Sequence, residues 1–169
     1  VEGSGAGAVA ATGLICAGAT CAGTYEAGAS VTITATPTVG SRFAGWTGCD
    51  SVGGAGGAQC VVAITGARAV RAGFVRQRQV TLDLTGSGAG SVDVAGVGAC
   101  SADCTLTVDQ GPITLTQAPA AGSRGGGFAG ACTSAGPTCT TAVAADATVA
   151  VAFVRQHTLT ITAAADVTV

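Results

Sequence analysis

The sequence predicts an all-β protein: two tandem small β modules, β-grasp-like or sandwich-like, each stapled by two local disulfides, with an extra strand at the C-terminus. Three observations carry this expectation. Short segments alternate apolar residues with Thr or Asp, the period of a half-buried strand. The eight cysteines of the 169-residue chain fall into close pairs. One order of motifs runs through the chain twice.

The alternating segments are VTITAT (31–36), VTLDL (80–84), ITLTQA (113–118) and TLTIT (158–162). AVRAGF (69–74) and TVAVAF (148–153) are rich in Val and Phe and fit a closing strand. TGSGAGS (85–91) lies between two strand-like runs and reads as a flexible hairpin. Pro37 and Pro119 stand just past strands, where a missing N–H costs little. No segment has a 3.6-residue period, so no helix is expected.

The repeat is visible in several phrases at once. GSGAGAV (3–9) returns as GSGAGSV (86–92), and FVRQ occurs at 74–77 and at 153–156. VTITATPTVGSRF (31–43) answers to ITLTQAPAAGSRG (113–125). These phrases divide the chain into a first unit at 1–76, a second at 77–156, and the opening of a third at 157–169. The order of hairpin glycines, a Cys pair, an aromatic, VTITATP, GSRFAGW, a second Cys pair and VRAGF resembles the divergent internalin B-repeat family of bacterial surface and secreted proteins. In unit one the resemblance rests on Tyr25, Gly28, Pro37, Gly40, Phe43, Gly45, Trp46 and Phe74. Unit two departs from it, with Val108, Gly125 and Phe128 where unit one has Tyr25, Phe43 and Trp46. The resemblance implies a small β-grasp-like or related module, strung in tandem outside the cell.

Spacing separates disulfides from a metal site. Structural zinc prefers two tight Cys pairs or a Cys/His mixture. Here only the first pair of each unit is tight, and His157, the single histidine, lies outside both quartets. The gaps also differ between copies, which a loop-closing bond tolerates better than a tetrahedral site. Local pairs Cys16–Cys21, Cys49–Cys60, Cys100–Cys104 and Cys132–Cys139 are expected, and no metal. In the chain-entropy account they contribute about 2 kcal/mol for the short loops and nearer ~3 for the longest. Such bonds persist in an oxidising compartment, so the protein is expected outside the cytoplasm.

Composition narrows the chemistry. Charged residues are 9% and the formal net charge is −2. The chain has no Lys, Asn or Met, so it has no Asn-linked glycosylation sequon and no Lys–Asn isopeptide staple. No signal-peptide pattern and no apolar run near the ~20 residues of a membrane helix appears, as in a mature product or an excised fragment. His157 has no nucleophile motif beside it, and Asp50, Asp83, Asp93, Asp103 and Asp109 are scattered singly, so no catalytic residue, calcium loop or cofactor is expected. Arg68, Arg71, Arg76 and Arg78 crowd one stretch. With a negative net charge and no interleaved aromatics they read as a solvated seam, paired with Asp83 or Asp93, rather than a nucleic-acid surface.

Trp46, in FAGWTGCD (43–50), has two readings: packing over the small core beside a disulfide, or an exposed platform for a sugar or surface ligand. Packing is the expectation. The second reading makes Trp46, Tyr25, Arg68 and Arg71 the candidate surface-binding residues of an adhesin-type module.

The ends supply the last expectation. Unit two is introduced by VTLDL, whereas unit one starts at VEGSGAGAV, without most of that strand. HTLTITAAADVTV (157–169) is the same strand with no unit after it. The expected function is a non-catalytic structural protein of the bacterial exterior, forming or extending a filament or stalk. Its expected partner is itself, head to tail, through residues 157–169 and the alternating Leu159, Ile161, Val167 and Val169, or neighbouring repeats of a longer chain. Neither nucleic acid nor a membrane span is expected.

Overall fold

A computed structural model describes residues 3–161 of the chain. Its strands are β1 (Gly7–Ala10), β2 (Ile15–Ala17), β3 (Thr20–Ala22), β4 (Ser30–Pro37), β5 (Ser41–Thr47), β6 (Ser51–Gly53), β7 (Gln59–Ala63) and β8 (Arg71–Thr85), followed by β9 (Gly90–Val94), β10 (Gly98–Cys100), β11 (Cys104–Asp109), β12 (Gly111–Pro119), β13 (Ser123–Gly130), β14 (Thr138–Val143) and β15 (Ala147–Arg155). A single 3-10 turn, Ala55–Gly57, is the only helical element among the described residues. The fold is all-β.

The chain divides into two compact units. Unit 1 holds the described residues through Gln79 with Thr107–Gly111 and Val143–Asp146; unit 2 holds Val80–Leu106, Pro112–Ala142 and the described residues from Ala147. The boundary falls within β8, whose residues to Gln79 serve unit 1 and whose residues from Val80 serve unit 2.

The repeat is structural as well as textual. In unit 1, β1 pairs β4 from Gly7↔Pro37 to Ala10↔Thr34; in unit 2, β9 pairs β12 from Gly90↔Pro119 to Val94↔Leu115. The closing strand of unit 1, the first half of β8, pairs β5 with a register shift between Phe43 and Gly45. The closing strand of unit 2, β15, pairs β13 with the same shift between Gly125 and Gly127. Each bulge has a glycine at positive φ, 138° at Gly45 and 96° at Gly127.

Burial follows the period-2 pattern. Val149, Val151 and Phe153 of β15, Ile113 and Leu115 of β12, and Val92 and Val94 of β9 point inward. Gln117 of β12 is also inward, 5% exposed. Its Nε2 donates to the Gly127 carbonyl of β13 at 2.9 Å and to the Ala152 carbonyl of β15 at 3.3 Å, so the two sheets of unit 2 face each other across the core. The side chain fills the room above Gly125, where a Cβ would collide with Gln117 Oε1. Unit 1 solves the same position with the opposite pair, Ala35 and Phe43, which belong to its Ala35–Ala72–Phe74 core.

The glycine phrase GSGAG is a clamp, and the expected hairpin at 85–91 is corrected. Strands β8 and β9 belong to different sheets and do not pair. The segment instead crosses the closing strand in close contact. Gly88 donates its N–H to the Phe153 carbonyl at 2.9 Å, as Gly5 does to Phe74 at 2.9 Å. Ser87 Oγ accepts from Arg155 N at 3.2 Å, and Ser4 Oγ accepts from Arg76 N at 3.3 Å. A Cβ at Gly86 would strike the Phe153 carbonyl, and one at Gly90 the Phe153 ring; Gly3 and Gly7 stand in the same relation to Phe74. Close backbone approach is what these glycines provide, together with the bend at Gly3 and Gly86, whose φ values are 105° and 98°.

A second correction concerns the C-terminus. Residues 157–161 carry no strand, and Leu159 and Ile161 are each 82% exposed. A strand is stabilised only by a paired edge, and no described strand takes this one. The rest of the expected strand, including Val167 and Val169, lies outside the described residues.

Phe153 is 2% exposed and receives both the ring contact of Gly90 and the clamp on its backbone. Phe153→Ala is expected to lower the unfolding free energy by about 3–5 kcal/mol, read by denaturant titration. A loss below ~1 kcal/mol would show that the clamp does not depend on this ring.

Candidate functional site

Unit 1 holds a groove of about 1050 Å³. One wall runs from Ala19 to Tyr25 and the other from Ile64 to Ala72, while Val9, Ile33 and Trp46 lie between them. The groove exists because core positions sealed in unit 2 are open here. Val9, Ile33, Trp46 and Val70 are only partly buried. Their counterparts in unit 2, Val92, Leu115, Phe128 and Val149, are 0, 0, 5 and 1% exposed.

The covering element in unit 2 is the second half of β8. Residues Val80–Thr85 run parallel to Ala147–Ala152 of β15, pairing Leu82 with Val149, and β11 lies on their other side. Val80 and Leu82 are both fully buried. In unit 1 the ladder on Arg71–Gly73 is that of β5. The two walls of the groove are the sequence counterparts of β11 and β15, and both have lost strand. Residues 23–26 are irregular where unit 2 has β11, and residues 68–70 carry no strand where Ala147–Val149 open β15. In unit 1 β3 pairs antiparallel with β2.

The disulfides brace this region. Cys16–Cys21 joins directly opposed residues of the β2–β3 hairpin, and Cys21 lines the groove. Cys49–Cys60 ties the fully buried Cys60 of β7 to the segment after β5, with the Cα atoms 5.5 Å apart. Cys100–Cys104 and Cys132–Cys139 do the equivalent work in unit 2.

All four sequence candidates for surface binding, Tyr25, Trp46, Arg68 and Arg71, line the groove. Trp46 is partly buried; one side of its ring packs on Phe43 at a centroid distance of 5.3 Å, and Phe43 in turn meets Phe74 at 5.7 Å. Its Nε1 and the Tyr25 hydroxyl are buried without a hydrogen-bond partner. Missing from the sequence candidates were the apolar lining residues Val9, Ile33 and Val70. Ile33 and Val70 lie in strand-like runs and Val9 ends a glycine phrase, and nothing in the local pattern distinguishes a sealed core position from an open one.

Arg68 pairs with Asp50, not with Asp83 or Asp93 as the sequence suggested, through Nη2 to Oδ1 at 2.7 Å. It also donates to the Ala63 and Gly48 carbonyls at 3.3 Å. The Arg68 hydrogen bond and the Ala63 N–H, 2.7 Å from Oδ2, hold the Asp50 carboxyl below the usual carboxylate range. Elsewhere in the unit, Arg42 Nε meets Asp109 Oδ1 at 2.7 Å and Nη2 meets Oδ2. That pair lowers Asp109 and raises Arg42. Among the described residues no group of three or more acidic, His or Cys side chains is arranged to hold a metal ion.

Residues 7–78 match the family model of the divergent InlB B-repeat domain. The match covers the first repeat, including every residue on which the resemblance rests. No curated protein and no solved structure matches the chain. The B-repeat family is of a structural type, and with the four disulfides it fits an extracellular protein. No helix among the described residues is long and apolar enough to cross a membrane.

Because both carboxyls are depressed in the fold, their contribution is present above the usual carboxylate range and is lost as pH falls through the lowered values. Asp50→Asn is expected to flatten the fall of Tm between about pH 5 and pH 2, while leaving the neutral-pH fold unchanged by circular dichroism. An unchanged acid limb would mean the pair is too well solvated to matter.

Proposed function

We propose that the chain is a non-catalytic structural repeat protein of the bacterial cell exterior that forms or extends a filament or stalk. Its subunits join head to tail by β-strand complementation, residues 157–169 of one entering unit 1 of the next. One observation carries this reading: Val80–Thr85, which follows the FVRQ of unit 1, is the strand that completes unit 2. The FVRQ of unit 1 is thus followed by a strand that serves the next unit, and the proposal gives the segment after the second FVRQ the same role. A strand delivered to a neighbour brings main-chain hydrogen bonds and alternating apolar side chains, and a heterologous contact that does not close into a ring propagates as a fibre. Neighbouring repeats within a longer chain make a stalk by the same contact. Secretion is part of the proposal, supported by the disulfides.

A second reading has its own observation. Tyr25, Trp46, Arg68 and Arg71 share one groove, a composition that also suits an adhesin-type module binding a glycan or another surface ligand.

Electron microscopy of the protein with and without residues 157–169 tests the first reading. Filaments that disappear on truncation are the expected result, and dispersed particles in both samples would contradict the filament. Trp46→Ala separates the two readings. Loss of a folded unit 1, seen as a missing unfolding transition, supports the structural role. A folded protein that has lost binding on a glycan array supports the adhesin.

A further inference from the structure

We infer that the core pairs Ala35/Phe43 and Gln117/Gly125 keep the two repeats from exchanging halves, within one chain or between two copies of it. The inference is independent of the head-to-tail reading.

Each unit closes by joining the half before a short turn to the half after it. The turn is residues 38–40 in unit 1, between β4 and β5, and residues 120–122 in unit 2, between β12 and β13. Tandem copies of one fold misassemble when such halves meet the wrong partner. The backbone does not tell the partners apart, because the contacts that join the halves are the same in kind. Gly5 donates to Phe74 O and Gly88 to Phe153 O, both at 2.9 Å. Ser4 Oγ accepts from Arg76 N at 3.3 Å, and Ser87 Oγ from Arg155 N at 3.2 Å. Ser41 Oγ and Ser123 Oγ accept from Ala6 N and Ala89 N, each at 3.0 Å. The disulfides do not discriminate either. Cys16–Cys21 and Cys100–Cys104 lie before the turn of their unit, and Cys49–Cys60 and Cys132–Cys139 lie after it, so none joins one half to the other.

The facing core pair is the exception. In unit 1 the first half brings the small Ala35 and the second half the large Phe43. In unit 2 the first half brings the large Gln117 and the second half Gly125. One exchange makes two hybrids, and both are faulty. Ala35 over Gly125 leaves a void. It also leaves the Gly127 and Ala152 carbonyls without the Nε2 donor that Gln117 supplies at 2.9 and 3.3 Å. Gln117 against Phe43 sets two large side chains in a space that holds one, since even a Cβ at Gly125 would strike Gln117 Oε1. A mismatch built against the wrong partner is how a difference in affinity becomes specificity.

Gln117 is also a poor choice for stability alone. It is 5% exposed, and its Oε1 has no hydrogen-bond partner. An apolar side chain would fill the same room without that penalty, so matching accounts for the amide better than stability does.

Gln117→Ala with Gly125→Phe gives unit 2 the pair of unit 1 and erases the difference. The three atoms nearest a Cβ at Gly125 all belong to Gln117, so the first change makes room for the second. Adding Ala35→Gln and Phe43→Gly restores a mismatch with the two pairs interchanged. Each full-length chain is unfolded with its disulfides intact and refolded. Misassembled chains are counted as dimers on size exclusion and, among monomers, as a second unfolding phase in denaturant. The double variant is expected to raise that fraction at least about tenfold over the unaltered chain, and the fourfold variant to return it to within about twofold. A double variant that folds with no rise overturns the inference. A fourfold variant as misassembled as the double overturns it too, because the defect then comes from altered cores and not from lost matching. Failure of unit 2 to fold with the pair of unit 1 would show that its own surroundings dictate Gln117 and Gly125, and would equally overturn it.

Discussion

The closing strand is the one around which each unit is built, and in unit 2 it has a partner on both edges. It carries the Phe of FVRQ, Phe74 in one unit and Phe153 in the other, both essentially removed from water. One edge is paired within the unit, by β5 or β13. The other is paired in unit 2 by Val80–Thr85, whereas in unit 1 it receives the Gly5 N–H at Phe74 O and the Gln110 N–H at Arg76 O. The remaining differences between the units follow from this. The closing strand of unit 1 begins at Arg71, whereas that of unit 2 begins at Ala147, the counterpart of Arg68. The segment after Cys21 has no ladder to join, and four apolar core positions are left partly open.

What holds unit 1 together around that opening is a set of local devices. Its fully buried material is small, with Ala35, Ala72 and Phe74 as the cluster and Val9, Phe43 and Trp46 leaning on it. The aromatic series Trp46–Phe43–Phe74 concentrates the bulk that an Ala-rich chain otherwise lacks. Two disulfides restrict the unfolded chain where burial is thin. Serine and glycine do the rest. The GSGAG crossing attaches to the closing strand through Phe74 O and Arg76 N, and to the following turn through Ser41 Oγ, which accepts from Ala6 N at 3.0 Å. Unit 2 repeats the last contact between Ser123 Oγ and Ala89 N at 3.0 Å.

The strand positions, the local cysteine pairing and the duplication were legible because each is a short-range pattern. VTITAT, VTLDL and ITLTQA lie in strands β4, β8 and β12. The role of GSGAG was not legible, since a glycine that turns the chain and one that lets two backbones touch look alike in a sequence. Neither was the exchange of Phe43 and Ala35 for Gly125 and Gln117, which requires knowing that the two positions face each other. Tyr25, Trp46, Arg68 and Arg71 were picked singly by residue type, and only the fold brings them to one groove. TLTIT has the same alternation as its counterparts, but residues 158–161 have no strand. Alternation shows that a segment is suited to a ladder, and the partner decides whether it forms one.

The measurement that bears most directly on this account is amide hydrogen exchange of the intact protein at concentrations where it assembles, comparing residues 68–73 with residues 147–152. The account predicts similar protection of both closing strands, and a fall confined to 68–73 when residues 157–169 are removed. Rapid exchange at 68–73 in the assembled protein, with 147–152 protected, would show that this edge of unit 1 takes no added strand and would contradict strand complementation.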